Sequence, residues 1–314
     1  MADRSSQTLS TPTRPVQQCC DIFQRQIDAA VEELQGKEPN VHGARKQLKR
    51  ARATLRLIRE AIGDELYRRE NIAARDAARP LSQARDSEVL SEALDGLLER
   101  FGPAASGLQV APLQQRLKKS RRSAAHPLPA KQLGEIKRAL KRCLTRAQAW
   151  RPESSGWSSL ETGLRATYRR ARRALRKART ERATEDLHEW RKQTKYMWHQ
   201  LQILAPLATG PVGELADEFH HLAEYLGDEH DLAVLRERVA KPTTGLSETA
   251  SSSLKTLIDR RREELQDKSF ALGERLYADK SKTFVHDLLQ HWSDWTRRDT
   301  QLQHQLHRPA IAHD

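Results

Sequence analysis

The stretch VHGARKQLKRARATLRLIRE, residues 41–60, contains seven Lys or Arg, one His and a single acidic residue. On a helical wheel, at about 100° per residue, its apolar and basic side chains separate to opposite faces. The apolar face comprises Val41, Ala44, Leu48, Ala51, Leu55 and Ile58, and the cationic face comprises His42, Arg45, Lys46, Lys49 and Arg56. The pattern predicts an amphipathic helix with a core side and a cationic side, which begins after an N-cap at Asn40.

The same pattern recurs in LHEWRKQTKYMWHQLQIL, residues 187–204, which aligns with residues 41–58 without a gap. The residues that again share one face are His188, Arg191, Lys192, Lys195 and His199. A second pair of segments, ARPLSQARDSEVL from Ala78 and AEYLGDEHDLAVL from Ala223, aligns at nearly the same offset. Self-similarity of this kind predicts a tandem duplication. The Pro-, Ser- and Gly-rich residues 150–159 mark the expected junction.

A third basic helix is predicted from GLRATYRRARRALRKART, residues 163–180. Its apolar face comprises Leu164, Tyr168, Ala171 and Leu175, and its opposite face comprises Arg165, Arg169, Arg172, Arg173 and Arg176. The corresponding segment of the first half, DIFQRQIDAAVEELQ over residues 21–35, has no such cationic face. The two halves are therefore expected to differ in charge.

The composition indicates a polyanionic partner. The 314-residue chain carries 55 Lys or Arg against 42 Asp or Glu, a net charge of +13, which favours nucleic acid, polyphosphate or an acidic membrane surface. Only 5% of the residues are aromatic, which disfavours proteins that stack the bases of single-stranded nucleic acids. No N-terminal apolar h-region and no run of about 18 apolar residues occurs, so we expect a soluble cytoplasmic protein without a membrane segment. Three cysteines without zinc-ligand spacing are expected to be reduced.

Every segment between the Pro- and Gly-rich breaks shows helical periodicity, and no alternating run of Val, Ile and Thr predicts a strand. We therefore expect an all-α protein in which each half is a bundle of a few long helices. The expected organisation is a disordered segment over residues 1–18, a first helical repeat over 19–150, a second over 151–300, and a disordered tail over 301–314.

Taken together, these segments resemble the CHAD family, the conserved histidine α-helical domain. The resemblance rests on the paired HGARKQLKRAR and HEWRKQTKYMWH helices, the YRRARRALRKAR helix, and the RDSEVL and HDLAVLRE segments, and it extends from Cys20 to Trp295. It implies two helical bundles related by a pseudo-twofold axis, with basic helices lining a central cleft or pore. It also implies binding of inorganic polyphosphate, often at polyphosphate granules, without catalysis and without a cofactor.

The cationic faces of the three helices form the candidate polyphosphate site. Polyphosphate has regularly spaced charges and no bases, and a helix supplies a basic residue about every 5.4 Å turn. Arginine offers a planar fork to phosphate oxygens, and lysine offers a point charge. The predicted binding residues are His42, Arg45, Lys46, Lys49, Arg52, Arg56, Arg165, Arg169, Arg172, Arg173, Arg176, His188, Arg191, Lys192, Lys195 and His199. The predicted core residues beneath them include Leu48, Leu55, Leu175, Met197 and Leu201.

Two alternatives in the binding class use the same basic surface. Helices rich in arginine also fit the grooves of duplex nucleic acid, and non-specific binding at low salt is expected at this net charge. A scaffold that binds an acidic protein is the other possibility.

Tyr196 is predicted to lie in the core with the neighbouring tryptophans, although it is placed within reach of the basic face.

An enzyme is the less favoured alternative. Two Glu-x-x-His motifs, at Glu185 and Glu218, are typical of di-iron helical bundles and raise the possibility of a metal-dependent phosphate-processing enzyme. However, Asp186 is predicted to be the N-cap of its helix, which leaves Glu185 outside that helix. Asp86 and Asp231 could act as catalytic carboxylates, but capping a helix or pairing with arginine is the simpler interpretation.

Overall fold

The computed structural model describes Leu9 and residues 14–82, 86–124, 128–152, 156–204 and 211–290. These residues form twelve α-helices and no β-strand, which confirms the all-α prediction. The predicted tail, residues 301–314, lies outside the described residues. The helices are α1 (Pro15–Glu33), α2 (Val41–Leu57), α3 (Arg59–Ile62), α4 (Asp64–Ala78), α5 (Asp86–Phe101), α6 (Ala111–Ala124), α7 (Ala130–Gln148), α8 (Trp157–Glu181), α9 (Thr184–Leu204), α10 (Pro211–Val239), α11 (Glu248–Leu276) and α12 (281–290).

The N-terminal boundary differs from the sequence prediction. Helix α1 begins at Pro15, inside the segment 1–18 that was expected to be disordered, and Val16 is fully buried. Proline at the start of a helix sacrifices no hydrogen bond, because the first amides have no intrahelical partner. Farther upstream, Leu9 is buried and its backbone amide donates to the Ile203 carbonyl at 2.9 Å. Apolar burial therefore begins earlier than the polar composition of this segment indicated.

Helix packing brings α2 and α9, the two helices with aligned sequences, side by side. Helices α1 and α4 each pack against both α2 and α7. Helix α9 packs between α8 and α10, and α10 also packs on α11. Helix α5 packs against α6, α10 and α11, and α2 packs directly against α8 and α9. The cationic helices predicted from the sequence are therefore neighbours.

Buried apolar side chains form two clusters. The larger draws on α1–α4, α7, α8, α9, the first half of α10, the end of α11 and α12, so it extends across both sides of residues 150–159. The smaller joins α5 and α6 to the second half of α10 and the first half of α11. The predicted core residues are confirmed as buried: Leu48, Leu55, Leu175, Met197 and Leu201. The three cysteines are also buried and free, namely Cys19, Cys20 and Cys143.

A glycine allows α8 to approach the end of α2 closely. A Cβ atom at Gly163 would lie 2.1 Å from the carbonyl oxygen of Leu57, so a larger residue would force the helices apart. Arg170 lies two turns farther along the same edge of α8. The close approach therefore positions Arg170 near the basic end of α2.

Candidate anion-binding site

Helix α2 begins where the sequence predicted. The Asn40 side chain accepts a hydrogen bond from the Gly43 backbone amide at 2.9 Å, which caps the first turn. Arg45 is half-buried, and its guanidinium donates to the Leu81 carbonyl at 3.0 Å. The side chains that α2 exposes to solvent include His42, Lys46 and Lys49.

Arg52 and Arg56 are held together by neighbouring helices. Both guanidinium groups donate to Oδ1 of Asn71 in α4, at 3.0 and 3.3 Å. The Arg56 guanidinium carbon also lies 3.9 Å from the centroid of the Tyr196 ring in α9, a cation–π contact. Neither arginine forms an ion pair with an acidic side chain of the described residues. The site therefore positions these charges without neutralising them, and Tyr196 reaches the basic face as predicted.

Arg170 of α8 joins this group, although the helical wheel did not select it. Partial desolvation against α2 and α3 lowers the pKa of Arg170 below its ordinary value, although the side chain as a whole is exposed, and the nearby cations Arg59 and Arg56 lower it further. Burial also lowers the pKa of Arg52, with Arg56 and Arg75 contributing in the same direction. All of these side chains remain charged, because the ordinary pKa of arginine lies above about 12. We call Arg52, Arg56 and Arg170 the arginine cluster.

Helices α2 and α9 also share a line of basic residues. The Gln200 amide of α9 donates to the Ala53 carbonyl of α2 at 3.2 Å, which ties the two helices together. Close to this bond, Lys49 of α2 and Lys195 of α9 both lie near enough to His199 to lower its pKa. The cationic faces of the two aligned helices therefore adjoin one another.

His199 differs from its sequence-based description as a cationic residue. Its side chain is buried, and its Nδ1 lies 3.1 Å from Oε1 of Gln202. Burial lowers the pKa of His199 to about 3, and Arg50 adds to this effect. The imidazole is therefore neutral near pH 7, because its position on the wheel faces α2 rather than solvent.

The first turns of α9 pack against α10. The His188 ring lies 4.6 Å from the His230 ring, centroid to centroid, in an edge-to-face arrangement. Burial lowers the pKa of His188, and His230, Arg191 and Lys192 lower it further. The Arg191 Nε lies 3.6 Å from the position that a Cβ atom would take at Gly227. This end of the site therefore combines a titratable imidazole with fixed positive charges.

The start of α9 corrects one sequence prediction. The helix begins at Thr184, so Asp186 lies within its first turn instead of serving as its N-cap. Asp186 pairs with Lys177 of α8 at 2.6 Å, and Glu189 pairs with Lys192. The predicted N-cap at Asp186 is therefore wrong. An acidic residue in the first helical turn is favourable even without a capping role, because it interacts with the positive end of the helix dipole.

The five arginines predicted on α8 do not have equivalent surroundings. Arg172 is half-buried and donates to the Ala278 carbonyl at 3.1 Å. Arg165 lies 3.8 Å from the carboxylate of Glu161. The members that are exposed, and that form no ion pair within the described part of the chain, are Arg169, Arg173 and Arg176.

The Glu-x-x-His motifs do not come together as a metal site in the described residues. No group of three His, Cys, Asp or Glu side chains lies close enough there to hold a metal ion. Glu185 lies within α9, contrary to the prediction, but its motif partner His188 is surrounded by cations. Glu218 of the second motif pairs with Arg275 at 2.6 Å.

A cavity of about 370 Å³ lies between α5, α10 and α11. Its polar lining includes Glu92, Asp228, Asp231 and Arg261. Burial raises the pKa of Asp228, and the adjacent Asp231 raises it further. Asp86, the residue aligned with Asp231, begins α5, but its side chain lies outside the described part. Arg191 of the basic surface lies close enough to Asp228 to oppose this rise. A cavity lined by carboxylates disfavours phosphate, so we do not include it in the anion-binding site.

These features define an all-helical, strongly basic protein in which three cationic helices are neighbours. The structure places Arg170 of α8 near Arg56 of α2, and Lys49 of α2 and Lys195 of α9 near the same histidine. Residues 16–240 match the CHAD domain family, and because this match covers more than half of the chain, the protein belongs to that family. CHAD domains are generally binding domains without catalytic activity. No curated protein matches the sequence. Among the described helices, none has the length and apolar character needed to cross a membrane.

Proposed function

We propose that this CHAD protein binds inorganic polyphosphate through the basic faces of α2, α8 and α9, without catalysing a reaction. The observation that carries the proposal is the arginine cluster, whose three guanidinium groups have no acidic partner among the described residues. Guanidinium forks match the geometry of phosphate oxygens and stay charged at any physiological pH. A bound polyphosphate chain would supply the missing negative charge and relieve the repulsion between these cations.

The proposed site follows the helix surfaces and uses most of the residues predicted from the sequence. It also includes Arg170, while His199 contributes packing and no charge. We expect a protein of this function to reside in the cytoplasm at polyphosphate granules. The proposed contact residues are His42, Arg45, Lys46, Lys49, Arg52, Arg56, Arg165, Arg169, Arg170, Arg172, Arg173, Arg176, His188, Arg191, Lys192 and Lys195.

We further infer that the two halves of the chain are repeats related by a pseudo-twofold axis, with the site in a cleft near that axis. The aligned helices α2 and α9 pack against each other, as a twofold axis between them would require. Arg45 of α2 reaches the Leu81 carbonyl, and its aligned partner Arg191 reaches Gly227. Gly227 directly follows Leu226, the aligned partner of Leu81. Equivalent side chains thus reach nearly equivalent positions, which supports a duplicated site.

Competition binding at about 0.15 M salt tests the proposed function, because screening at this ionic strength suppresses diffuse attraction. Labelled polyphosphate is bound to the full-length protein and challenged with unlabelled polyphosphate, duplex DNA, RNA and ATP at equal phosphate concentration. We expect polyphosphate to displace the label at a far lower concentration than the other three ligands. Displacement by DNA or RNA at the same concentration as polyphosphate would refute the proposal and assign the surface to nucleic acid.

A further inference from the structure

A second strongly basic region lies outside α2, α8 and α9. Residues 102–150 contain eleven Lys or Arg and one acidic residue, Glu135. This segment therefore has a net charge of +10, against +13 for the whole chain. Most of the excess positive charge of the protein resides in a part of the chain that the site described above does not use.

Helix α7 presents part of this charge as an exposed strip. Its apolar side chains are buried, and the helix packs on α1 and α4. The opposite face carries four exposed basic side chains, spread over about 16 Å of helix at 1.5 Å per residue. We call these residues the α7 strip: Lys131, Arg138, Lys141 and Arg142.

The α7 strip is not neutralised by its neighbours. None of its four side chains forms an ion pair or a hydrogen bond with another of the described residues, Glu135 included. By contrast, Arg146 near the end of the same helix binds Glu70 of α4 through two hydrogen bonds, at 2.8 and 2.6 Å. The helix thus uses one arginine for a structural ion pair and leaves the strip facing solvent.

Helix α4 connects the α7 strip with the arginine cluster. It supplies Asn71, which accepts hydrogen bonds from Arg52 and Arg56, and it supplies the adjacent Glu70, which binds Arg146 of α7. The axes of packed helices lie about 8–10 Å apart, so the axes of α2 and α7 lie within about 20 Å of each other through α4. The path to the α7 strip is longer, because the strip lies on the face of α7 that points away from α4. A flexible polyanion can span this distance while remaining bound to the arginine cluster.

We propose that the α7 strip is a second binding segment for the same polyphosphate chain, reached only by chains long enough to cross α4. This inference rests on the proposed function. The strip contains no aromatic residue, so it offers no platform for stacking bases and senses only negative charge. Joining two contacts through one ligand raises the affinity for long chains by about tenfold or more, and leaves the affinity for short chains unchanged.

The test compares two polyphosphate lengths on the full-length protein. Short chains of about ten phosphates provide enough charges for the first site alone, and the second ligand is a chain many times longer. The strip variant combines Lys131→Gln, Arg138→Gln, Lys141→Gln and Arg142→Gln. A matched control removes two lysines and two arginines from α10, α11 and the segment between them, through Arg238→Gln, Lys241→Gln, Arg260→Gln and Lys268→Gln. We expect the strip variant to lose about tenfold or more in affinity for long chains, to keep its affinity for short chains, and to melt like the wild type.

Each of the other possible outcomes would contradict the inference, the proposed function or both. Unchanged long-chain affinity in the strip variant would overturn this inference and leave the proposed function standing. An equal loss for both chain lengths, or an equal loss in the control variant, would show that the strip is not a separate segment. Wild-type protein that binds neither ligand would refute both proposals. Binding of long chains alone, lost in the strip variant, would make the α7 strip the primary site and would refute both the proposed site and the inference that the strip is a second segment. A loss of duplex DNA binding with unchanged polyphosphate binding would assign the strip to nucleic acid and overturn the inference.

Discussion

Replacing the three residues of the arginine cluster with glutamine should abolish tight polyphosphate binding and preserve the fold. Arg52 and Arg56 are half-buried, and Arg170 is exposed. The side chains of the first two donate to Asn71, and none of the three pairs with an acid in the described chain. Glutamine keeps much of the side-chain length and a hydrogen-bond donor, so the free energy of unfolding should change by about 1 kcal/mol or less.

The expected loss of affinity follows from the number of charges removed. A hydrogen bond to a charged partner contributes about 1.5–3 kcal/mol, and the lower value suits a site open to solvent. Three lost contacts then cost about 4.5 kcal/mol, which is about 2,000-fold in the dissociation constant. Each phosphate neutralised on a flexible chain contributes about 0.7 to the slope of log affinity against log salt, so the slope should become shallower by about 2.

The measurement is a fluorescence titration with labelled polyphosphate at several salt concentrations between about 50 and 200 mM, accompanied by thermal melts. The control variant replaces three arginines of α5, α10 and α11, namely Arg100, Arg238 and Arg260, and should lose less than about tenfold because only diffuse attraction is removed. Equal losses in the two variants would refute the reasoning, since bulk charge would then explain binding. An unchanged salt slope would show that the arginine cluster makes no phosphate contacts.

Three other outcomes are expected. Burial lowers the pKa of His199 to about 3, so the stability that the neutral imidazole contributes is complete above about pH 6.5 and is lost as the pH falls below it. The free energy of unfolding, measured by urea denaturation, should drop by up to about 1.4 kcal/mol per pH unit. His199→Asn should remove this slope. Bound phosphate should raise the lowered pKa of His188. Polyphosphate affinity should therefore rise as the pH falls below the ordinary histidine pKa of about 6.5, and a pH-independent affinity in His188→Gln would confirm the source. Glu229 is 1% exposed and accepts hydrogen bonds from Arg262. Glu229→Gln removes the negative charge that compensates this largely buried guanidinium and should lower the free energy of unfolding by about 3 kcal/mol, which calorimetry would measure.

Local sequence signals predicted the helices and their faces well. The N-cap at Asn40, the start of α2 and the buried positions Leu48 and Leu55 all follow from interactions within a few residues of one another. The same signals were misleading at Asp186, where the helix starts at Thr184 and the carboxylate pairs with Lys177 instead of capping. A capping motif is weak when a neighbouring helix offers the same carboxylate a cation.

The candidate site could be predicted only in part. The hydrophobic periodicity of α2 predicted its exposed side. Arg170 falls beside the apolar face of its own helix, so the helical wheel did not identify it as a binding residue. Its role depends on the close approach at Gly163, which involves the Leu57 carbonyl of a distant segment. A glycine on the edge of an otherwise well-formed helix was the available signal for such an approach.

By itself, the sequence determined that the chain is helical. It also determined which side of α2, α8 and α9 is apolar and that the opposite side is cationic, because periodicity sets the direction of each side chain about its own helix axis. Only the tertiary structure decided which of these surfaces meet. It buried His199 against α2, placed Arg170 beside Arg56, and left the α7 strip in solvent. The physical reason is that a helical wheel contains no information about neighbouring helices, whereas burial, ion pairing and the pKa of each group depend on residues far away in the chain.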